Sequence, residues 1–181
     1  MPAISLVASA TRRVGVLQLA AEAEQRGFTH VACPSLGAAM PLCTSLAHST
    51  ESLQYFTSIQ PIYLSHPVEA GNTAAHIHEV SGGRFAFGIG VSHGPVTQRL
   101  GVTTGKPLSD IRNYVSAMRA NEKFSGTLPP IYLATLRDKM LDLEIGAIER
   151  VVALQRLDDE EGDGEPYRPS PVGVAPEHAG A

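Results

Sequence analysis

The sequence has few cysteines and little charge, and it lacks a long apolar run. Cys33 and Cys43 are too few for a disulfide framework, so we expect two reduced, buried thiols. Charged residues make up 18% of the chain, and the formal net charge of −4 disfavours a nucleic-acid or anionic-membrane surface. No apolar run reaches the about 18 residues that a membrane span needs. No basic segment precedes the first apolar stretch, so no signal peptide is expected. These absences predict a globular cytoplasmic protein.

Apolar segments of strand length alternate with helical patterns from the N-terminus onward. The predicted strands are residues 4–8, 28–33, 53–62, 85–91 and 130–134. The predicted helices are residues 14–25, 41–50, 67–80 and 108–119. Strands that alternate with helices over short connections form βαβ units and a parallel sheet. The strands are apolar on both faces, as expected for strands that helices cover.

The C-terminal region has a different composition. A helical pattern is predicted to continue over residues 136–157 and to end a first domain of residues 1–157. Residues 158–165 are acidic and interrupted by glycine, and residues 166–181 are rich in Pro, Gly and Ala. This composition cannot bury enough apolar surface to offset its ordering entropy, so we predict a disordered tail over 158–181. The acidic run lacks the alternating ligands of a calcium loop.

Residues 81–94 are the most informative segment. Gly82 and Gly83 can end a helix, residues 85–91 form a strand, and a glycine-rich exit follows with Ser92 and His93. The polar turn at the carboxyl end of a buried parallel strand is where α/β folds keep their chemistry. The segment alone predicts a ligand-binding strand end.

Four segments occur in an order and spacing that resemble a known family. They are residues 20–28, residues 57–59 with His66-Pro67, residues 79–90, and residues 129–134 with Lys139-Met140. Together they resemble the bacterial luciferase-like monooxygenase family, and more narrowly its deazaflavin (coenzyme F420)-dependent oxidoreductase branch. The resemblance covers about residues 3–143 and implies a TIM-barrel-like (β/α)8 fold. Such barrels usually need about 250 residues, so we expect only about five β/α units, truncated after about residue 143.

The resemblance also implies a cofactor slot at the strand ends, for F420 or alternatively FMN. F420 is preferred because residues 88–94 are similar to that branch. In relatives with a similar Thr-Ser-Val stretch a non-proline cis peptide forms a bulge behind the ring, and Ser58–Ile59 is the matching bond. The alternative is an ordinary buried strand end. The residues assigned to the slot are Ser9, Ser35, Thr57, Ser58, Ile59, Gly90, Ser92 and Gly94.

His93 is the candidate catalytic residue, because an imidazole that titrates near neutrality could donate a hydrogen bond to a substrate carbonyl or relay a proton. The alternative is a solvent-exposed loop histidine. Cys33 fits a small buried side chain better than a nucleophile. His76 and His78 lie two residues apart, on different faces of a helix, so no metal site is predicted.

Two functions follow as alternatives. The first is an oxidoreductase that transfers a hydride between F420 (or FMN) and a small organic substrate, with oxygen insertion as the family's other chemistry. The second is a truncated, non-catalytic remnant that binds flavin weakly or associates as a homo-oligomer through unpaired sheet edges. An acid-tailed interaction protein rests only on residues 158–165.

Overall fold

The computed structural model describes residues 2–36, 38–92, 94–99, 101–135 and 150–153. Within them, seven strands form one parallel sheet, in the order β1-β2-β3-β5-β6-β7 with β4 also paired to β5. The strands are β1 (Ala3–Ser5), β2 (His30–Cys33), β3 (Gln54–Thr57), β4 (Gln60–Pro61), β5 (Phe85–Gly90), β6 (Ile131–Thr135) and β7 (Arg150–Ala153). The helices are α1 (Arg13–Gln25), α2 (Ala39–Ser49), α3 (Pro67–Val80), α4 (Gly94–Arg99), α5 (Pro107–Ala120) and α6 (Glu122–Ser125). A short 3₁₀ helix, Ile62–Leu64, follows β4. This order confirms the predicted parallel β/α architecture.

The main core lies between the sheet and its helices. Alternate side chains of β5, those of Phe85, Phe87 and Ile89, are almost fully buried. The Phe85 ring lies 5.9 Å from the Tyr55 ring and 6.2 Å from the Phe87 ring, measured between centroids. Helices α3 and α5 cover this layer with the buried side chains of Ile77, Ile111, Val115 and Met118. Burial of these apolar side chains fixes which face of the sheet the helices cover.

The opposite face of the sheet carries small side chains at its centre. Ala86, Gly88 and Gly90 alternate along β5 with Phe85, Phe87 and Ile89, so these three positions face away from the helices. Tyr132 pairs with Gly88, and its ring lies 6.3 Å from that of Phe56. We call this surface the inner face, since it corresponds to the interior of a β/α barrel.

The strand predicted over residues 53–62 is interrupted. Phe56 pairs with Ala86 and Gln60 pairs with Ile89. The chain therefore advances four residues between these two pairs on the β3–β4 side, but only three residues on β5. One extra residue between β3 and β4 makes a bulge. It changes which side chains face inward, because alternation restarts after the extra residue. The Ser58–Ile59 peptide bond within it is cis, as the resemblance implied.

Two side chains join the loops at the N-terminal ends of the strands. The Glu24 carboxylate accepts hydrogen bonds from the backbone N–H groups of Glu51, Ser52 and Leu53 and from the Ser52 hydroxyl. The Arg84 guanidinium donates to the carbonyl oxygens of three residues and to one hydroxyl, and it lies 5.6 Å from the centroid of the Tyr55 ring. Those acceptors are on Ala47, Leu53, Ser81 and Thr50.

The predicted helix over residues 136–157 is wrong at its end, where Arg150–Ala153 forms β7 and pairs in parallel with β6. Val151 and Val152 are β-branched and favour a strand once an unpaired edge is available. The sheet therefore contains a strand beyond the five expected. Helices α4 and α6 were not predicted. The predicted disordered tail, 158–181, lies outside the described residues, and the domain boundary at 157 stays a prediction.

Candidate functional site

Three residues from neighbouring strands meet at the C-terminal end of the inner face. A Cβ atom placed on Gly90 would lie 3.1 Å from Cδ1 of Ile59 and 3.6 Å from Cβ of Ala134. The side chain of Ile59 thus lies over the position that a side chain at residue 90 would occupy. Because residue 90 has no side chain and residue 134 has only a methyl group, the surface here is shallow and apolar. A flat ring could lie against such a surface.

Thr57 and Gly88 bring β3 and β5 unusually close just below this point. The buried Thr57 hydroxyl donates a hydrogen bond to the Gly88 carbonyl oxygen at 2.7 Å. A Cβ atom on Gly88 would lie 1.9 Å from the Thr57 carbonyl oxygen, so only glycine fits. The hydroxyl of Thr57 is therefore used to join the strands that carry the site.

Two residues in the loops that leave β1 and β5 have a left-handed backbone. Thr11 has a φ of 67° and Ser92 a φ of 64°. For a β-branched residue such as Thr11 this conformation is unusual and costly. Strained backbone of this kind clusters at ligand-binding sites. Both residues follow the C-terminal ends of strands. This is the edge of the sheet where the sequence predicts the cofactor slot.

The other predicted residues lie along the same edge. Ser9 and Ser35 are exposed after β1 and β2. Ser58 is half-buried, and its N–H donates to the Cys33 carbonyl oxygen at 2.9 Å, which ties the bulge to the end of β2. Gly94 is exposed and begins α4. His93 lies outside the described residues, so its catalytic role stays a prediction. Direct contact of Ser9, Ser35, Ser58 and Gly94 with a cofactor likewise stays a prediction.

Cys33 and Cys43 are both fully buried between β2 and α2. Burial raises the pKa of the Cys43 thiol well above its usual value, and a hydrogen bond with Cys33 raises that pKa further. A thiol is a poor nucleophile under these conditions, because the thiolate is the reactive form. The pair therefore matches the expectation of buried, packed thiols. Within the described part of the chain, no three His, Cys, Asp or Glu side chains are grouped as metal ligands.

Two cavities flank the start of α2, outside the inner face. One of about 240 Å³ lies between α1 and α2 and is lined by apolar side chains together with Arg13 and Ser45. The other, of about 290 Å³, lies between α2 and α3, and its polar lining includes Gln60 and Glu69. Neither of these two includes Ile59 or Gly90. Both lie beside the helices, at the edge where the strands end.

Among the described residues, basic side chains outnumber carboxylates at the same edge. Four of them belong to the start of α1 or to the segment between β5 and α5: Arg12, Arg13, Arg99 and Lys106. The carboxylates that the described residues place at this edge are those of Glu69 and Asp110, in the first turns of α3 and α5. The two ion pairs that the described residues form lie at the other end, where α1 and α5 finish. Counted over its described residues, the strand-end edge is therefore cationic, although the chain is acidic overall.

Comparison with known families assigns the chain. Residues 3–155 match the model of the family described as luciferase-like monooxygenase. The chain belongs to the luciferase-like monooxygenase family. The match extends past the expected end near residue 143 and includes β7. In the part of this family member that the structure describes, no helix is both long enough and apolar enough to span a membrane.

Solved structures share this fold. An F420-dependent secondary alcohol dehydrogenase in complex with an F420–acetone adduct is 18% identical, with a TM-score of 0.66 over 83% of this chain and 58% of that one. The coenzyme F420-dependent tetrahydromethanopterin reductase from Methanopyrus kandleri is 17% identical, with a TM-score of 0.64 over 77% and 51%. The oxygenating constituent of 3,6-diketocamphane monooxygenase of Pseudomonas putida, in complex with FMN, is 13% identical, with a TM-score of 0.62 over 75% and 52%. The TIM-barrel-like β/α fold is confirmed, and the chain spans about half the length of the structures it matches.

Sequence reasoning missed several residues of the site. Thr11 gives no signal in sequence, since threonine rarely takes a left-handed conformation. The inward position of Ala134 and Tyr132 could have been read from the alternation in β6 once the register with β5 was known. Asp110, three residues after Pro107, fits the acidic first turn of a helix. That pattern does not reveal that its carboxylate accepts a hydrogen bond from the Tyr63 hydroxyl.

Proposed function

We propose that the C-terminal end of the inner face binds the ring of F420, or alternatively FMN, and that the protein is an oxidoreductase acting on a small organic substrate. The observation that carries this proposal is the shallow apolar surface made by Ile59, Gly90 and Ala134. A side chain at residue 90 would press against Ile59 and push it outward, so glycine keeps the surface low enough for a ring to lie on Ile59. When bound, the ring would supply the hydride chemistry, and the protein would supply orientation and electrostatics.

The residues of this chain would bind and orient the ring. Ile59 would contact one face of the ring, and the left-handed turn at Ser92 would present backbone groups to its edge. The predicted role of His93 is to hold or donate a proton at its imidazole, next to the substrate. We expect His93→Ala to lower turnover far more than thermal stability. His76→Ala, at an exposed position of α3, is the matched control.

The cationic edge supports an anionic ligand. FMN and F420 carry phosphate groups, and a surface of like-signed charges raises the association rate of an oppositely charged ligand. Arg13 and Lys123 offer a matched test, because they lie at opposite ends of the sheet. Arg13→Gln should weaken the salt dependence of FMN binding, whereas Lys123→Gln, with the same change in net charge, should leave it unchanged.

The direct test is a titration of the purified protein with F420, FMN and riboflavin, followed by absorbance and fluorescence of the ring. We expect a perturbed spectrum and saturation in the micromolar range, with FMN binding more tightly than uncharged riboflavin. Gly90→Ala should weaken binding of all three, whereas Gly15→Ala, where a Cβ meets no atom within 4 Å, should not. No spectral change with any of the three ligands would refute the proposal.

The second candidate is a non-catalytic remnant that binds flavin weakly or associates with itself in the cytoplasm. The observation that favours it is that this chain spans only about half the length of the solved structures that it matches. In the described residues, β1 and β7 each end the strand order of the sheet and offer unpaired edges. Concentration-dependent dimers without ring binding would support this candidate over the enzyme.

A further inference from the structure

We propose that Tyr63 and Asp110 are positioning residues that hold the segment between β5 and α5 in place over the strand ends. The proposal rests on the proposed function, because this segment carries Ser92 and His93. The two residues form a clamp, which we call the Tyr63–Asp110 clamp. Neither residue belongs to the strand ends that sequence reasoning selected.

One carboxylate oxygen makes both contacts of the clamp. The Tyr63 hydroxyl donates to Oδ2 of Asp110 at 2.7 Å, and the Gly105 N–H donates to the same oxygen at 3.0 Å. A Cβ atom on Gly105 would lie 2.8 Å from both carboxylate oxygens, so a side chain at residue 105 would push the carboxylate away. Hydrogen bonds to a charged acceptor are stronger than neutral ones.

The clamp connects the exits of two adjacent strands. Tyr63 lies in the 3₁₀ turn that directly follows β4, and β4 pairs with the end of β5 at Gly90. Gly105 lies near the end of the segment that leaves β5, and Asp110 lies in the first turn of α5. The carboxylate therefore fixes the far end of a segment whose near end begins at the site.

The other described hydrogen bonds of this segment run within it. The Thr97 hydroxyl donates to the Gly94 carbonyl oxygen at 2.9 Å, and the Val102 N–H donates to the Thr97 carbonyl oxygen at 2.9 Å. These bonds make residues 94–99 and 101–102 a local unit and do not join it to the rest of the fold. Attachment at Gly105 consequently limits how far the unit can move from the strand ends.

The Tyr63 hydroxyl, which donates the hydrogen bond in the clamp, stays protonated at neutral pH. Burial and the hydrogen bond to Asp110 raise the pKa of Tyr63 to about 12. The Tyr63 hydroxyl thus remains a hydrogen-bond donor to the carboxylate at neutral pH. A second hydroxyl pair joins the same two regions without touching the segment, since the Ser65 and Tyr114 hydroxyls lie 3.0 Å apart. It supplies a matched control.

The experiment compares Tyr63→Phe with Tyr114→Phe by hydrogen–deuterium exchange of peptides that cover residues 94–106, and by titration with FMN and F420. Loss of one hydrogen bond to the carboxylate should speed exchange of these amides and weaken ring binding about three- to tenfold. Tyr114→Phe should change neither. Asp110→Asn, which keeps an acceptor without the charge, should give an intermediate effect and serves if Tyr63→Phe folds poorly.

Two results separate the clamp from the proposed function. If the native protein binds no ring, the proposed function fails, whereas exchange of residues 94–106 still measures the attachment made by the clamp. If the native protein binds a ring and Tyr63→Phe binds it equally, the clamp has no positioning role. Equal exchange over residues 94–106 in Tyr63→Phe and Tyr114→Phe would also overturn the inference.

Discussion

Replacement of Glu24 by glutamine should destabilise the fold in a pH-dependent way. The Glu24 carboxylate, near the end of α1, receives hydrogen bonds from the N–H groups of Glu51, Ser52 and Leu53 at the turn before β3. The Ser52 hydroxyl adds another bond at 2.7 Å. A neutral carboxamide can still accept from this turn, but it loses the charge that strengthens each bond.

The magnitude follows from the acidity of the group. Burial raises the pKa of Glu24, but the hydrogen bonds from Ser52, Glu51 and Leu53 outweigh it and lower the pKa from 4.5 to about 2. That difference corresponds to an upper bound of about 3.4 kcal/mol. Water screens a carboxylate at the protein surface, so we expect about 1–2 kcal/mol to remain.

The sign follows from proton linkage. The folded state holds the Glu24 proton less tightly than the unfolded state, so the carboxylate stabilises the fold fully above about pH 5. As the pH falls from 4.5 toward 2, the group becomes protonated in the folded state as well, and the contribution disappears. Glu24→Gln should therefore be less stable than the native protein at pH 7, and the difference should shrink toward pH 2.

Urea unfolding of both proteins at pH 7 and at pH 3 measures this difference directly. Glu22→Gln is the control, since Glu22 lies on the same helix and forms an ion pair with exposed Arg26. Its effect should stay below about 0.5 kcal/mol at pH 7. If the loss from Glu24→Gln were the same at both pH values, or equal to that from Glu22→Gln, the reasoning from the hydrogen-bonded carboxylate would be refuted.

Three further substitutions test the geometry by urea unfolding. Gly88→Ala should lose about 3 kcal/mol because its Cβ would overlap the Thr57 carbonyl oxygen, and a loss below that of Gly15→Ala would contradict this. Thr11→Gly should gain about 0.5–1 kcal/mol by removing a strained left-handed threonine, and any loss of stability would be inconsistent with that strain. Arg84→Met should lose about 2–3 kcal/mol because three carbonyl oxygens lose their donor, and a loss no larger than that from exposed Arg26→Met would rule this out.

Local signals predicted the four longest helices of the described residues, α1, α2, α3 and α5, well. Helix α3 spans Pro67–Val80, as the sequence predicts, because proline occupies its first turn and Gly82 and Gly83 take positive φ values after its end. The strand of residues 85–91 was also placed to within one residue, since turn residues bound its apolar run. In these segments the capping and turn residues mark the same boundaries that the fold has. The sequence alone is therefore sufficient to predict them.

Features that depend on long-range pairing were less predictable. The bulge between β3 and β4 appears only when Phe56 and Gln60 are counted against their partners on β5. Strand β7 lies within the region of residues 136–157 that has helical periodicity, and its pairing with β6 accounts for its extended conformation. The link from Tyr63 to Asp110 spans 47 residues of sequence and has no local signature.

The candidate site was predicted as a list of strand ends, and its geometry depends on the register. The inward orientation of Ile59 follows from the extra residue in the bulge, because uninterrupted alternation would turn it toward the helices. Only then does Ile59 meet Gly90. Composition and motifs therefore could not show which residues share the surface at Ile59 and Gly90. The motif of residues 81–94 did indicate the correct edge of the sheet.

The two ends of the sheet have different physical roles. At the N-terminal ends of the strands, Glu24 and Arg84 satisfy backbone groups of neighbouring loops with several hydrogen bonds each. At the C-terminal ends, left-handed residues such as Thr11 and Ser92 hold loops in conformations that cost free energy. In β/α barrels the first end serves stability and the second serves function. Because different side chains serve the two ends, substitutions at the strand exits can change ligand binding while the loops that stabilise the sheet stay intact.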